Sequence, residues 1–210
     1  MKNPLYVYVD CRSDKNGRVY VIALEKAAVF LDGGFFSKVR LHFGRPELDW
    51  VKFCDKICGD NCERLRTYFY DCMPYRDDPP TPEQQKRYAD KQRFINSLSI
   101  LPRFEIRLGR LQRLMTVDGD DFRQKGVDIL LAVDLVRMAW RDRIYKAVIV
   151  TNDTDFIPAI KEAKDAGVLV HLHYCNDKPF DIHEALYSIC DDRTPITREL
   201  LLECESSSDK

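Results

Sequence analysis

Four aspartates stand where short apolar runs give way to turns or helices. Asp32 follows Ala27–Leu31, Asp128 lies two residues past Gly126, and Asp153 and Asp155 come just after Lys146–Thr151. In an open parallel sheet, ligands collect beyond the carboxyl ends of the strands. If these segments are neighbours in such a sheet, four carboxylates point at one spot. Two unit charges about 4 Å apart cost on the order of 4 kcal/mol at an effective dielectric of about 20. A hard divalent cation offsets that repulsion, and Mg²⁺ typically takes one or two carboxylates together with water and phosphate oxygens. With two cations, the attacking and leaving oxygens of a phosphodiester displacement are both stabilised. No Cys or His adjoins these aspartates in sequence, which suits Mg²⁺ or Mn²⁺ better than zinc.

Each position also has a purely structural reading. Asp153 could cap the helix that follows, Asp32 could serve a glycine-rich turn, and acidic residues such as Asp128 favour a first helical turn. Spacing alone leaves both readings open. Asp134 is different: it lies mid-helix within Leu130–Val136, about 120° round an ideal helix from Asp128. It reads as a buried, hydrogen-bonded structural residue.

The elements that must position these side chains follow from pattern. Residues 5–11 and 18–24 are β-branched and aromatic and flank Asn16-Gly17, which predicts an N-terminal β-hairpin. Ala27–Leu31 is a continuous apolar run, the mark of a strand buried on both faces, and Gly33-Gly34 then permits a sharp turn. A helix is expected over 47–58 and a strand over 64–71. Thr81-Pro82-Glu83-Gln84 starts another helix that ends at Pro102. Strands are expected at 104–109, 146–151 and 168–174, with 110–124 as an extension or hairpin arm. Val127–Trp140 presents Val127, Leu130, Leu131, Leu135 and Met138 on one face of a helix. A helix over 155–166 ends at Gly167, and two short helices follow near 181–190 and 195–203. Alternating strands and helices imply an α/β fold with a mostly parallel sheet of about five strands plus the hairpin. One domain over 1–210 is expected, with 1–26 a hairpin extension and 204–210 a flexible tail.

Three motifs carry a resemblance. Phe30-Leu31-Asp32-Gly33-Gly34-Phe35, Lys125-Gly126-Val127-Asp128 through Asp134, and Thr151-Asn152-Asp153-Thr154-Asp155-Phe156-Ile157-Pro158 resemble the NYN domain family of the PIN-like nuclease superfamily, over roughly residues 26–190. The resemblance implies a Rossmann-like three-layer α/β/α sandwich. It also implies Mg²⁺- or Mn²⁺-dependent endoribonuclease chemistry, with Asp32, Asp128, Asp153 and Asp155 as metal-binding catalytic residues. Phe35 stands where Asn is common among relatives, and Thr151-Asn152 replaces a commoner Ser-Gly; no carboxylate is lost.

The implied partner is RNA, single-stranded by preference. Cations neutralise phosphates and aromatic faces stack on unpaired bases. Arg103, Arg107, Arg110 and Arg113 crowd one segment, and Lys38, Arg40, His42 and Arg45 interleave with Phe36 and Phe43 in another. From these, Lys38, Arg40, Arg107 and Arg110, with Lys125, Asn152 and Thr154 beside the acidic motifs, are the candidates for RNA contact. A solvated charged face is the plain alternative. Cys54, Cys58 and Cys62 match no metal signature and read as buried thiols, and His171 and His173 share one face of a strand in a core or edge role.

Composition bounds the rest. The 210 residues suffice for one sizeable core, and 45% hydrophobic with 32% charged residues describes a globular chain. A net charge of −1 excludes a generally basic nucleic-acid binder, so any such contact is local. No apolar run approaches the roughly 18 residues of a membrane span, and Met1–Pro4 does not open a signal peptide. A cytoplasmic location with reduced cysteines is therefore expected, with no membrane partner and with room for a homodimer. Two rival functions stay in view: a non-catalytic RNA- or protein-binding module, and a nucleotidase or phosphatase. The last often uses Asp-x-Asp after the first strand, and Gly34 stands in the second position here.

Overall fold

The computed structural model describes residues 8–13, 19–116 and 119–206, with side chains over 24–110 and 126–206. The apolar run becomes the centre of the sheet. Strand β2 (Val19–Asp32) takes in both the second hairpin arm and the first parallel strand as one continuous element. Its outer half pairs antiparallel with β1 (Tyr8–Ser13), from Tyr8↔Leu24 to Ser13↔Val19. Its inner half lies between β3 (Cys62–Cys72) and β6 (Lys146–Val150), parallel to both. The Asn16-Gly17 turn lies outside the described residues.

The strand order is β5-β4-β3-β2-β6-β7-β8. Here β4 is Phe104–Thr116, β5 Gly119–Lys125, β7 Leu169–Tyr174 and β8 Asp192–Pro195. The run β4-β3-β2-β6-β7-β8 is parallel throughout, and β5 folds back antiparallel on β4. The sheet thus has one more parallel strand than expected. β8 is short, polar and ends in Pro195 at the sheet edge, so it shows neither an apolar run nor alternation.

Helices cover both faces, and β2 supplies alternate residues to each, all fully buried. Ala27, Val29 and Leu31 meet α1 (Gly33–His42), α2 (Trp50–Cys58), α3 (Pro82–Ser99) and α7 (Arg198–Glu203). Ala28 and Phe30 meet α4 (Val127–Trp140), α5 (Ile157–Asp165) and α6 (Glu184–Ile189). Each large apolar side chain so buried contributes about 1.5–3 kcal/mol. The α/β/α sandwich is therefore as the resemblance implies, and its mostly parallel sheet is as the alternation of strands and helices predicts. Thr81 and Gln84 form a reciprocal capping box at the start of α3. No described helix is long and apolar enough to cross a membrane.

Two local expectations need correction. Residues 33–42 are not a turn followed by a basic stretch but helix α1, whose two glycines and weak periodicity hide it. Gly33 is not needed for an unusual backbone angle. A Cβ there would come within 2.6 Å of Phe69 Cζ, 2.7 Å of the Tyr70 carbonyl oxygen and 2.8 Å of Asp71 Oδ2. The glycine lets the helix start against β3. The second correction concerns residues 204–206, which are tied into the fold. The Cys204 carbonyl accepts from Asp49 N–H at 2.8 Å, and Ser206 N–H donates to the Glu47 carbonyl at 2.9 Å. Residues 207–210 lie outside the described residues.

Candidate active site

The sheet order places one crevice. From β2 the chain crosses to β3 on one side and returns later as β6 on the other. This reversal beside β2 is where the loops at the carboxyl ends separate and open sheets bind ligands. Leu31 and Val150 are partners across the β2–β6 pair, so Asp32 and Thr151 are the next residues out at that edge.

Asp32 is half-buried and caps α1: Phe35 N–H donates to its Oδ1 at 3.0 Å. The Thr151 hydroxyl lies 3.5 Å from Asp32 Oδ2 and accepts from Asp153 N–H at 3.1 Å, so one buried side chain holds both aspartates. Asp153 in turn caps the single 3-10 turn Thr154–Phe156, accepting from Asp155 N–H at 2.9 Å. Asp128 sits in the first turn of α4, after Gly126 at φ 85°, a left-handed angle that favours glycine.

These carboxylates act on one another. The Asp32 carboxyl is pushed up from its ordinary 3.8 to about 6. Burial is the largest cause; the Phe35 and Gly34 N–H groups pull the other way, and Asp128 and Asp153 add repulsion. Asp128 is shifted upward by burial first, then by Asp153 and Asp155. Among the described residues, the charges that act on the two are those of carboxylates. Asp32, Asp128 and Asp153–Asp155, drawn from three segments, therefore face one region of uncompensated negative charge. Among the described residues, no three acidic, His or Cys side chains converge tightly enough to enclose an ion. The donors offered there are carboxylate oxygens, the type a hard cation prefers, and the described residues form no closed four-ligand zinc site.

The profile of the NYN domain family matches residues 26–197, most of the chain and all four aspartates. The chain belongs to the NYN domain family. Its fold is that of PIN-like nucleases. A crystal structure of a protein of unknown function from Vibrio parahaemolyticus is similar in fold, with a TM-score of 0.53 at 17% identity. That likeness covers 83% of this chain and 94% of the other. No curated protein sequence matches this one.

Around the NYN carboxylates, the structure separates the basic and polar candidates. Arg40 donates to the Pro46 carbonyl at 2.6 Å and lies over the Trp50 ring, so it closes the end of α1. Arg107 is bound to Asp134 and Glu105, each at 3.2 Å. The Asn152 amide joins the ends of β6 and β7, donating to the Cys175 carbonyl at 2.7 Å and accepting from Cys175 N–H at 3.1 Å. Lys38 and Arg110 are exposed and Thr154 is half-buried; the Lys125 side chain lies outside the described residues.

Two neighbours of the site went unmarked by sequence. Thr151 is one, since a hydroxyl after an apolar strand is unremarkable until Asp32 stands beside it. The other is Asp71, at the end of β3 and 3% exposed, which pairs with Lys91 and accepts from Cys72 N–H at 2.7 Å. Its charge is neutralised, unlike that of Asp32. Asp134 is buried and bonded as its mid-helix position predicts. Among the described residues the cysteines are free, and burial pushes the Cys54 thiol up to about 12, which leaves it unreactive.

His171 and His173 stack at 4.5 Å on the opposite side of β7 from the α4 layer. His173 Nε2 faces the Ile57 carbonyl oxygen at 3.3 Å and so carries the proton, while its buried Nδ1 has no partner among the described residues. Burial, then the charges of His171 and Lys146, hold His173 down to about 3. An unfolded His titrates near 6.5. Between those values the unfolded chain takes up a proton that the folded one refuses, so this contribution to stability falls as pH falls from 6.5 towards 3. Asp32, raised to about 6, works in the opposite sense over part of that range. The readout is therefore a difference. Between pH 7 and 5.5, wild type is expected to lose about 1 kcal/mol of urea-denaturation stability relative to His173→Leu. Parallel pH profiles for the two proteins would refute the assignment.

Proposed function

We propose that this NYN domain is a metal-dependent endoribonuclease that hydrolyses phosphodiester bonds of single-stranded RNA, with Asp32, Asp128, Asp153 and Asp155 holding Mg²⁺ or Mn²⁺. The observation that carries this reading is the Asp32 carboxyl, held up to about 6 at the crevice beside β2 by burial and by the neighbouring Asp128 and Asp153 carboxylates. Such a cluster is costly without a cation and useful with one. When bound, the cation would polarise the phosphate as a Lewis acid and make a bound water a stronger nucleophile.

The chain's own groups supply the positioning. Phe35 N–H and the Thr151 hydroxyl fix the two oxygens of Asp32 from opposite sides. The backbone N–H groups of Asp153 and Asp155 are both consumed in holding the 151–155 turn, so Asp153 presents its carboxylate from a set rotamer. Asp155 is exposed and Asp128 half-buried, the places where water and phosphate have room. The whole chain is read as one domain, with the β1–β2 hairpin as an extension beyond the family match.

The test is cleavage of labelled single-stranded RNA with Mn²⁺ or Mg²⁺ and with chelator, alongside DNA and an Asp153→Asn variant. Cleavage is expected to need metal and to fall at least about 100-fold in the variant, since even the groups behind metal ligands are worth 10–100-fold. RNA binding without cleavage by wild type would move the protein to the non-catalytic reading. Cleavage that survives in Asp153→Asn would remove the proposed site.

A further inference from the structure

We propose that the cleft lined by Met73, Pro74, Tyr75, Arg76, Gly109 and Arg110 holds a nucleotide of the RNA strand beyond the two that flank the bond to be cut; this rests on the nuclease reading above. The cleft has a volume of about 320 Å³, within the range of small-ligand sites and larger than a phosphate alone requires. It lies on the same carboxyl edge as the aspartates. Asp32 pairs with Tyr70 on β3, Tyr70 pairs with Arg107 on β4, and Gly109 is two residues further along. Strand spacing and rise put the cleft on the order of 12 Å from Asp32, so a single strand can lie across both.

Its charge is what singles it out. On β3, β4 and the turn before β4, the neighbouring arginines are each tied to a carboxylate: Arg64 to Asp55, Arg66 to Glu105, Arg103 to Glu63, and Arg107 to Glu105 and Asp134. Arg76 and Arg110, the two that line the cleft, make no ion pair among the described residues. In a chain of net charge −1, two such guanidinium groups beside one cleft are a local cationic patch. Arg76 is held over the Tyr88 ring at 4.2 Å, and the Tyr75 hydroxyl donates to Asp77 Oδ1 at 2.9 Å. A fixed guanidinium fork suits a phosphate, and Met73 and Pro74 give the cleft an apolar wall against which a base can lie. An acidic centre that takes a cation and a cationic cleft further along the same edge together suit a phosphodiester strand that runs from one to the other.

The experiment uses the full chain and two probes: a labelled oligouridylate long enough to span both sites, and the dinucleotide uridylyl-uridine. Binding is measured in chelator against salt, where nothing is cut, and cleavage with Mn²⁺. For the Arg76→Ala/Arg110→Ala double variant, the slope of log affinity against log salt is expected to shrink by about 1.4, two single-strand phosphate contacts. KM for the oligomer should rise about tenfold or more with kcat unchanged, and cleavage of the dinucleotide should stay as in wild type. Arg76→Lys/Arg110→Lys should recover most of the slope, because a lysine still neutralises a phosphate. An unchanged slope and unchanged KM in a cleaving enzyme would overturn the cleft and leave the nuclease reading intact. A reduced slope with no cleavage by wild type of either probe would support the cleft and sink the nuclease reading. Equal loss on oligomer and dinucleotide would mean that the arginines act at the acidic site itself, and would overturn the separate cleft.

Discussion

Asp32→Asn is expected to abolish cleavage while making the folded protein more stable. The Asp32 carboxyl sits at about 6 in the folded chain and at its ordinary 3.8 when unfolded. A raised carboxyl means that the folded state resists ionisation. The cost is fully present above pH 6 and fades as pH falls towards 3.8. Two pH units correspond to nearly 3 kcal/mol, and partial exposure of the group brings that to about 1–2 kcal/mol. Asparagine keeps the helix cap, since its carbonyl oxygen also accepts from Phe35 N–H. In chelator at pH 8 the variant should melt higher by several degrees, about 2–4 °C per kcal/mol in a chain of this size. At pH 4 the difference should vanish. Mn²⁺ should stabilise wild type by mass action and leave the variant unmoved. A variant that melts lower than wild type in chelator, or that still cuts RNA, would break the link between the strained carboxylate and the activity.

The largest loss of stability is expected at Asp134, about one and two-thirds turns beyond Asp128 on α4. Asp134 is 5% exposed and accepts from the Tyr70 hydroxyl at 3.1 Å and from Arg107 Nε at 3.2 Å, and it also pairs with Arg137. These bonds tie α4 to β3 and β4. Asp134→Ala leaves the buried Tyr70 phenol without its acceptor and takes a carboxylate from Arg137 and from Arg107, which keeps Glu105. Leaving a buried hydroxyl unpaired costs about 1–3 kcal/mol, and the bonds lost from the partly exposed guanidinium groups add to it, so a drop in melting temperature on the order of 5–10 °C is expected. Asp134→Asn should cost less, because it keeps the Tyr70 bond and the shape. The same helix carries Asp128, so metal affinity should weaken in Asp134→Asn even at temperatures where it is folded. A change below about 1 kcal/mol in Asp134→Ala by denaturant titration would show that the network carries no net stability.

Much of this molecule is legible one segment at a time. Strands buried on both faces announce themselves as apolar runs, which is why Ala27–Leu31 and Lys146–Val150 stand out. Thr81-Pro82 and Gln84 specify the start of α3 through local bonds alone. The α4 face is visible because a helix buries every third or fourth residue. Three acidic motifs, in order, were enough to point to the family that the profile match then established. By contrast, α1 was hidden, because the reason for Gly33 lies on β3 in Phe69, Tyr70 and Asp71, far away in sequence. Strand β8 was hidden because four polar residues at an edge have no pattern of their own.

The candidate site divides in the same way. By itself the sequence determined which residue types stand at the ends of strands, and hence that carboxylates collect on one edge of a parallel sheet. Only the tertiary structure decided what each charge meets there. It set Thr151 between Asp32 and Asp153, and gave Asp71 a lysine. It tied Arg107 to Asp134 and Glu105 while leaving Arg76 and Arg110 on an open cleft. Residue type sets a charge, but whether that charge is spent inside the protein or offered to a ligand depends on partners that sequence distance does not reveal, because electrostatic and hydrogen-bond energies depend on separation in space.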